Sequence, residues 1–192
     1  NPVVKVIRHA SRGVTLQLAG GERLLFDHVV MATHSDQALA LLEQPSPAER
    51  EILGAIPYQS NDVVLHTDVR LLPRRRLAWA GWNYHVRPNG GPVALTYNMN
   101  ILQRLTLRDT LCVTLNDEGS IAPETVLQKF AYAHPVFTAA GIGAQARKAE
   151  ISGQRRTWYC GAYWRYGFHE DGVLSALDVL RAQRQLVSRY WH

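Results

Sequence analysis

Apolar and polar residues alternate with a period of two near the start of the chain. The alternation covers Pro2 to Arg8, Val14 to Leu18 and Arg23 to Phe26, and the turn residues Ala19-Gly20-Gly21 separate the last two segments. A period of two places apolar side chains on one face of a strand and polar ones on the other. The pattern therefore predicts an antiparallel meander with one buried and one solvated face.

A different pattern follows the meander. His28 to Ala32 is apolar enough for an internal strand, and Asp36 to Glu43 places its apolar residues at helical spacing. Ser46 and Glu49 have the spacing of a capping box, and Pro47 stands at the first helical position. We expect a helix from Ser46 to about Ala55.

The middle of the chain is rich in short strand-like segments. Strands are predicted at 62–67, 77–84, 93–98 and 111–115, and helices at 100–105 and 123–132, while 139–149 is ambiguous.

The last quarter of the chain contains its most distinctive pattern. An apolar run, Thr157 to Cys160, reaches Gly161 and is followed by an aromatic loop, and a helical pattern then runs from Gly172 to about Tyr190. A strand, a glycine, a loop and a glycine at a helix start can bring backbone N–H groups to an anion or a polar ring edge. The aromatic loop is either a packed corner of the core or one wall of a site for a flat ligand.

Composition and charge narrow the classes of protein. With 192 residues, 46% of them hydrophobic and 19% charged, the chain is typical of a globular protein. The net charge is +5, and arginines cluster, as at Arg74-Arg75-Arg76. Such clusters indicate a solvated surface or an anionic partner. Nucleic acid is disfavoured because the aromatic residues lie in one loop and do not alternate along a sheet.

The cysteines and the hydropathy of the chain indicate where in the cell the protein is expected. Cys112 and Cys160 lie in apolar contexts without metal spacing, and we expect buried thiols in a cytoplasmic protein, although a disulfide stays open. The sequence contains neither an apolar run of about 18 residues nor a signal-peptide pattern, so we expect no transmembrane segment.

Two other patterns do not predict a cofactor or metal site. Gly141 to Ala146 matches a dinucleotide-binding string but follows a poor strand, so we interpret it as a turn near a helix. The histidines lack metal-ligand spacing, and the adjacent residues His169 to Asp171 cannot all face one ion, so no metal site is predicted. The sequence does not identify a catalytic residue.

Four segments together resemble a known family. They are Pro2-Val3-x-x-Val6, Phe26-Asp27-His-Val-Val-Met-Ala32-Thr-His34, Val64-Leu-His-Thr-Asp68 and Tyr159-Cys-Gly161-Ala-Tyr-Trp-Arg-Tyr-Gly-Phe-His-Glu-Asp-Gly172-Val-x-Ser175. On these residues the chain resembles the C-terminal half of flavin-containing amine oxidase-type proteins. It is most similar to the bacterial branch described as predicted NAD/FAD-binding proteins or FAD-dependent oxidoreductases.

The resemblance implies a mixed α/β (α+β) fold in two lobes. Residues 1–43 and 151–192 would form the C-terminal part of the FAD-binding lobe through the meander strands and the last helix. Residues 44–150 would form an inserted β-rich substrate lobe. The family's N-terminal Rossmann unit, which carries most of the ADP-binding residues, is absent from these residues.

The resemblance also implies site residues. Val3 would lie near the adenine end of FAD, and the strand end at Ala32 and Thr33 near the cofactor. Gly161 would pass the ribityl-pyrophosphate, and Gly172 with Val173 would place N–H groups at the pyrimidine edge of the flavin. The substrate side of the ring would be lined by Phe168, His169 and Tyr166. One departure from the family is Ala162, which stands where an acidic residue is usual and removes a polar cofactor contact.

The implied function is that of an FAD-dependent oxidoreductase that transfers a hydride from an unidentified organic substrate to the flavin. The implied partners are a small-molecule or lipid-like substrate and the missing N-terminal dinucleotide-binding segment. Without that segment we expect weak FAD binding or none. Two alternatives remain open: a non-enzymatic module that binds a ligand or lipid, and a basic protein that binds an anionic surface or nucleic acid.

Overall fold

The computed structural model describes residues 1–86, 94–117 and 119–190, and the side chains of 186–190 lie outside that description. It has two compact units. The first comprises Asn1–Tyr58 and Pro135–His192, and the second Gln59–His134. Both contain strands and helices, so the predicted mixed α+β class is confirmed.

The strands are β1 (Val3–His9), β2 (Gly13–Leu18), β3 (Arg23–Phe26), β4 (Val29–Met31), β5 (Tyr58–His66), β6 (Trp82–His85), β7 (Ala94–Asn98), β8 (Cys112–Leu115), β9 (Val126–Pro135) and β10 (Thr157–Tyr159). The α-helices are α1 (Ser35–Leu41), α2 (Pro47–Gly54), α3 (Met99–Leu102), α4 (Ala139–Ala146) and α5 (His169–Tyr190). Short 3₁₀ helices lie at Val69–Leu71, Arg76–Ala78, Pro123–Thr125, Lys148–Glu150, Gln154–Arg156 and Ala162–Trp164. Of the helices described, none is long and apolar enough to span a bilayer.

The first unit begins with the predicted meander. β1, β2 and β3 pair antiparallel in that order, and Val6 and Val14 point into the core. β4 does not belong to this sheet and pairs in parallel with β10. The main core joins the meander to α1, α2, α4 and β10 through the buried residues Val6, Val14, Met31, Ala38, Leu42, Ile52, Leu53, Ile56, Ala144, Ile151, Tyr159, Tyr163 and Trp164.

A buried carboxylate ties three elements of this core together. Glu49 on α2 forms an ion pair with Arg8 of β1, and its Oε1 accepts a hydrogen bond of 2.7 Å from the Tyr159 hydroxyl of β10. Its Oε2 also accepts the Ser46 N–H at 2.7 Å, while Ser46 Oγ accepts the Glu49 N–H, so the predicted capping box is present. Glu49 is 1% exposed. One side chain therefore caps its own helix and holds two strands to it.

The second unit is a five-stranded sheet in the order β6-β7-β8-β5-β9. One face carries a buried polar chain from β5 to β6. The Asp68 N–H donates to His66 Nδ1, and His66 Nε2 lies 2.7 Å from Thr114 Oγ1. Thr114 bonds Thr96 at 2.8 Å, and Thr96 bonds His85 at 3.0 Å. Because each polar side chain has a partner, this face can be buried at modest cost.

The predicted helix at 123–132 is wrong. A single 3₁₀ turn at Pro123–Thr125 precedes β9, which lies at the edge of the sheet beside β5. The capping signal at Pro123 is local, whereas the strand depends on pairing with residues more than 50 positions earlier. Phe130 and Tyr132, whose rings stack at 5.5 Å, suit a strand better than a helix.

Several other elements begin or end at different residues than predicted. The strand predicted at 77–84 begins only at Trp82, after the 3₁₀ helix at Arg76–Ala78. Val93, predicted to start a strand, lies outside the described residues. The ambiguous segment at 139–149 forms α4 as far as Ala146, and a 3₁₀ helix begins at Lys148. The dinucleotide-like string, which was interpreted as a turn near a helix, lies inside α4.

The second compact unit runs from Gln59 to His134, and it lies inside the 44–150 range that the resemblance implied for the inserted lobe. Helices α2 and α4, which flank it in the chain, both contribute to the main core of the first unit.

We predict that Glu49→Gln lowers the free energy of unfolding by about 3–5 kcal/mol, because the change leaves the Arg8 charge buried without its partner. Urea denaturation measures this loss. Glu51→Gln, on the same helix but exposed, is the matched control and is expected to cost much less. An equal loss in both variants would contradict the role of the buried pair.

Protonation of the same carboxylate is expected to lower the stability of the folded state at acid pH. Burial alone would raise the pKa of Glu49, but hydrogen bonds from Arg8, Ser46 and Tyr159 outweigh it and lower the pKa from 4.5 to about 2. A lowered pKa stabilises the folded state above pH 4.5, and the contribution, at most about 3 kcal/mol, is lost as the pH falls towards 2. Stability measured over this range should fall less steeply in Glu49→Gln than in the wild type.

Candidate functional site

Two parallel strands of the first unit end side by side. β4 and β10 pair in the register Val29 with Thr157 and Met31 with Tyr159, and the Cys160 N–H donates to Met31 O at 3.0 Å. The segments after both strands therefore emerge at one edge of this sheet. Ligands of open α/β sheets bind outside the carboxyl ends of the strands. Ala32 and Thr33, which follow β4, meet Gly161, which follows β10, at such an edge.

Gly161 makes a close turn directly after β10. Its φ is 155°, and a Cβ at this position would lie 2.8 Å from Cδ1 of Tyr163 and closer still to another ring atom. Glycine is therefore required here so that the chain can fold back over its own aromatic ring. The backbone of residue 161 is half-buried beneath the Tyr163 ring.

Polar side chains from α5, α4 and residue 148 hold this turn in place. Ser175 Oγ accepts the Gly161 N–H at 3.2 Å and also accepts a hydrogen bond from Lys148 Nζ at 2.9 Å. Ser175 is 1% exposed, and burial lowers the pKa of Lys148. On the other side, Gln145 Nε2 donates to the backbone carbonyls of Tyr163 and Arg165, each at 2.8 Å. The loop is thus fixed from both sides.

The aromatic loop divides into an inner and an outer set. Tyr163 and Trp164 are buried members of the main core. Tyr166 is 80% exposed and Phe168 56%, and His169 is exposed as well. The inner two rings are therefore packed in the core, and the outer three are the ones that a ligand could reach. The outer set is an apolar surface of the kind that often marks a binding site.

The N-terminus of α5 lies beside this turn. The helix begins at His169, the Phe168 N–H is capped by Asp171 Oδ2 at 3.0 Å, and the Gly172 N–H lies 3.3 Å from Phe168 O. In a helix that begins there, the N–H groups of His169 and Glu170 have no intrahelical acceptor. The free donors thus lie one turn before Gly172 and Val173, the residues that the resemblance implied.

Five buried polar atoms of the described residues have no hydrogen-bond partner within the protein. They are His34 Nδ1, Ser35 Oγ, Trp158 Nε1, Tyr163 Oη and Trp164 Nε1. Their residues lie in β10 or in the segments that follow β4 and β10. They do not form one cluster, because Trp158 packs against α5, whereas Tyr163 and Trp164 belong to the main core.

The remaining predicted residues lie elsewhere or are inert. Val3 lies in β1, in the separate three-stranded sheet, and packs against the main core. Cys112 and Cys160 are buried free thiols, and burial raises the pKa of both. Within the described ranges, no three His, Cys, Asp or Glu side chains are grouped so that they could hold a metal ion.

The second unit offers an apolar surface. Opposite its buried polar chain, the sheet presents cross-strand neighbours that share one face: Trp82 with Tyr97, Tyr84 with Leu95, Leu95 with Leu115, Tyr97 with Val113, and Leu65 with Val113. Trp82 is 46% exposed and Tyr84 65%, and the others are half-buried. The sheet thus buries its polar face and exposes an aromatic and aliphatic one.

A cavity of about 310 Å³ lies away from these sites, on the solvated face of the meander. It is lined by Ile7, His9, Arg12, Thr15, Arg23 and Leu25. His9 Nε2 bonds Thr15 Oγ1 at 2.9 Å inside it. The cavity does not coincide with the strand ends or the aromatic loop, where the chemistry of the residues is concentrated.

Lys148, Gln145 and Ser175 were not predicted as part of the site. Each is separated from Gly161 by 13 to 16 positions, and no motif links any of them to the turn by chemistry. A weak signal existed for Ser175, which closes the segment that carries the family resemblance.

Comparisons with known proteins support the fold. No protein-family model matches the chain, and no curated protein matches it in sequence. Solved structures do match. Cyclohexylamine oxidase from Brevibacterium oxydans aligns with a TM-score of 0.59 and 14% identity, over 97% of this chain and 48% of that one. A fatty acid isomerase from P. acnes that produces CLA aligns with a TM-score of 0.57 and 14% identity, over 99% of this chain and 47% of that one. A redesigned putrescine oxidase aligns with a TM-score of 0.57 and 12% identity, over 98% of this chain and 48% of that one.

The chain therefore spans about half the length of these proteins. At such low identity the likeness shows the fold alone. That fold is the one of the amine oxidase-type proteins that the sequence resembles.

Proposed function

We propose that this chain forms the C-terminal portion of an FAD-dependent oxidoreductase of the amine oxidase type. The observation that carries the proposal is the joint edge formed by the ends of β4 and β10, the Gly161 turn and the N-terminus of α5. Such an edge exposes backbone beside free N–H donors, which suits a flat, partly anionic cofactor.

The residues at this edge fit FAD. Ala32, Thr33 and Gly161 would pass along the cofactor where side chains are small or absent. Gly172 and Val173 would face its ring across the first turn of α5, and Val3 would lie at its adenine end, as the resemblance implies.

When bound, FAD supplies the acceptor for a hydride. The chain's own residues orient and shield that reaction. The N-terminus of α5 favours negative charge near the N–H groups of His169 and Glu170. The exposed rings of Phe168 and Tyr166 would exclude water from the substrate side of the ring, and His169 would add a polar group beside them.

The rest of the FAD site would come from a dinucleotide-binding segment outside these 192 residues. Two-stranded sheets are marginally stable alone, and parallel strands are normally covered on both faces. Here β4 and β10 form such a pair, with Val30 45% exposed. The apolar face of α5 formed by Val173, Leu177 and Leu180 is also exposed. Both surfaces suit further strands and helices of one larger lobe.

The substrate class proposed is apolar and lipid-like. The support is the exposed aromatic and aliphatic face of the second unit, which could hold a hydrocarbon chain but offers few groups to bind a charged one. One structural neighbour is described as a fatty acid isomerase. The same face would also serve a module that binds a lipid without oxidising it, which is the alternative that flavin content decides.

We predict that the full-length protein purifies with FAD and shows the flavin absorption band, whereas residues 1–192 alone bind FAD weakly or not at all. The reason is that this chain holds only part of the site. Absorption spectra of both preparations, with added FAD, measure the difference. Stoichiometric FAD on the 192-residue chain would contradict the split site, and a colourless full-length protein that takes up no FAD would favour the lipid-binding module.

A second prediction concerns the turn. Gly161→Ala should lower the free energy of unfolding by about 1–3 kcal/mol, because the new methyl group meets the Tyr163 ring. FAD affinity of the full-length protein should fall by about tenfold or more. Gly143→Ala, inside α4 with open space around it, is the control and should be neutral or slightly stabilising. Unchanged FAD affinity in Gly161→Ala would argue against this turn as a cofactor contact.

A further inference from the structure

The segment from Pro73 to Trp79 of the second unit is here called the basic tip. Its exposure and charge are not explained by the proposed oxidoreductase site. Arg74, Arg75 and Arg76 are all exposed, and Leu77 next to them is 104% exposed. Isolated exposed leucines are common, but one that is fully exposed beside three arginines is an unusual combination.

The tip is an ordered loop. Residues Arg76–Ala78 form a 3₁₀ helix, and Trp79 Nε1 donates to Pro73 O at 2.7 Å, which closes the loop on itself. The guanidinium of Arg76 lies 5.5 Å from the centre of the Trp79 ring. Because the loop is closed from within, Leu77 is held outward and does not fold back onto the sheet.

The positive charge of the tip is not compensated. In the described part of the chain, Arg74 and Arg75 make no ion pair, and no acidic residue occurs between positions 69 and 84. The preceding carboxylate, Asp68, is already bound to Arg70. Some arginines elsewhere in the chain, such as Arg147, do have acidic partners.

A second segment extends the surface. Leu102 of α3 lies against Gly81, two residues after the tip, and the Asn98 N–H donates to Gly81 O at 3.0 Å. This neighbouring segment exposes Ile101, Leu102 and Leu107 by 45–53%, and it carries Arg104 and Arg108. Apolar and cationic side chains thus continue from one segment into the other.

We propose that the basic tip docks the protein onto an anionic lipid surface. Arginines bind lipid phosphates, while a protruding leucine gains by entering the boundary of the hydrocarbon, and a tryptophan suits the interface between them. A nucleic acid would gain little from an aliphatic Leu77, which cannot stack on bases as an aromatic residue would. A second copy of the chain would bring like charges together.

The test is co-sedimentation of the full-length protein with vesicles of phosphatidylcholine, with and without phosphatidylglycerol, at low and high NaCl. Binding is expected only with phosphatidylglycerol and should weaken as salt rises. Replacing Arg74, Arg75 and Arg76 by serine should reduce partitioning by about a hundredfold, from roughly fivefold per arginine. Leu77→Ser should reduce it by about tenfold.

Matched controls separate the tip from total charge. Replacing Arg12, Arg23 and Arg50 by serine removes the same charge from exposed arginines for which the structure gives no ion pair, and Leu127→Ser removes a leucine that is 57% exposed. Both controls should bind vesicles nearly as the wild type does. Circular dichroism checks that each variant folds, so the vesicle result does not depend on whether the protein binds FAD.

Several outcomes would overturn the proposal. They are no binding to the anionic vesicles, equal binding to both kinds of vesicle, or an equal loss in the charge-matched control. Tighter salt-dependent binding to single-stranded DNA through the same arginines would assign the tip to nucleic acid. A dimer on gel filtration that Leu77→Ser dissociates would assign it to a second copy.

Discussion

The first unit depends on one buried carboxylate. Glu49 would be costly in the core if it were alone, but it receives hydrogen bonds from a guanidinium, a phenol and a backbone amide that come from three different parts of the chain. These bonds fix the distances between the meander, α2 and β10. The edge at which β4 and β10 end is therefore positioned by a polar interaction, and the apolar core packs around it.

From that edge the remaining features of the candidate site follow in order. β10 ends at Gly161, the Gly161 turn is bound by Ser175, and Ser175 belongs to the buried side of α5. The direction of the helix is thus set by the end of the strand. The outer rings of the aromatic loop are exposed because the inner two already fill the space beneath them.

Features encoded by neighbouring residues could be predicted from the sequence, and features made by distant contacts could not. The capping box at Ser46 and Glu49 needs only four consecutive residues, and the meander needs only alternation and a turn. By contrast, β9 was mistaken for a helix because its partner β5 lies far away in the chain. The site shows the same division: the glycine turn could be predicted, while Lys148 and Gln145 reach it only through the fold, and the division of the aromatic loop depends on what packs below it.

The pairing of β4 with β10 also has a consequence for how the protein is made. The residues that pair, such as Val29 and Thr157, are 128 positions apart, whereas the second unit is one continuous stretch from Gln59 to His134. During synthesis the second unit can fold as soon as it leaves the ribosome, because all its strands are then present. The first unit must wait, with β4 unpaired, until β10 has been translated, and closing so long a loop is slow. The inserted position of the second unit thus imposes an order of folding in which the sheet that carries the candidate site is completed last.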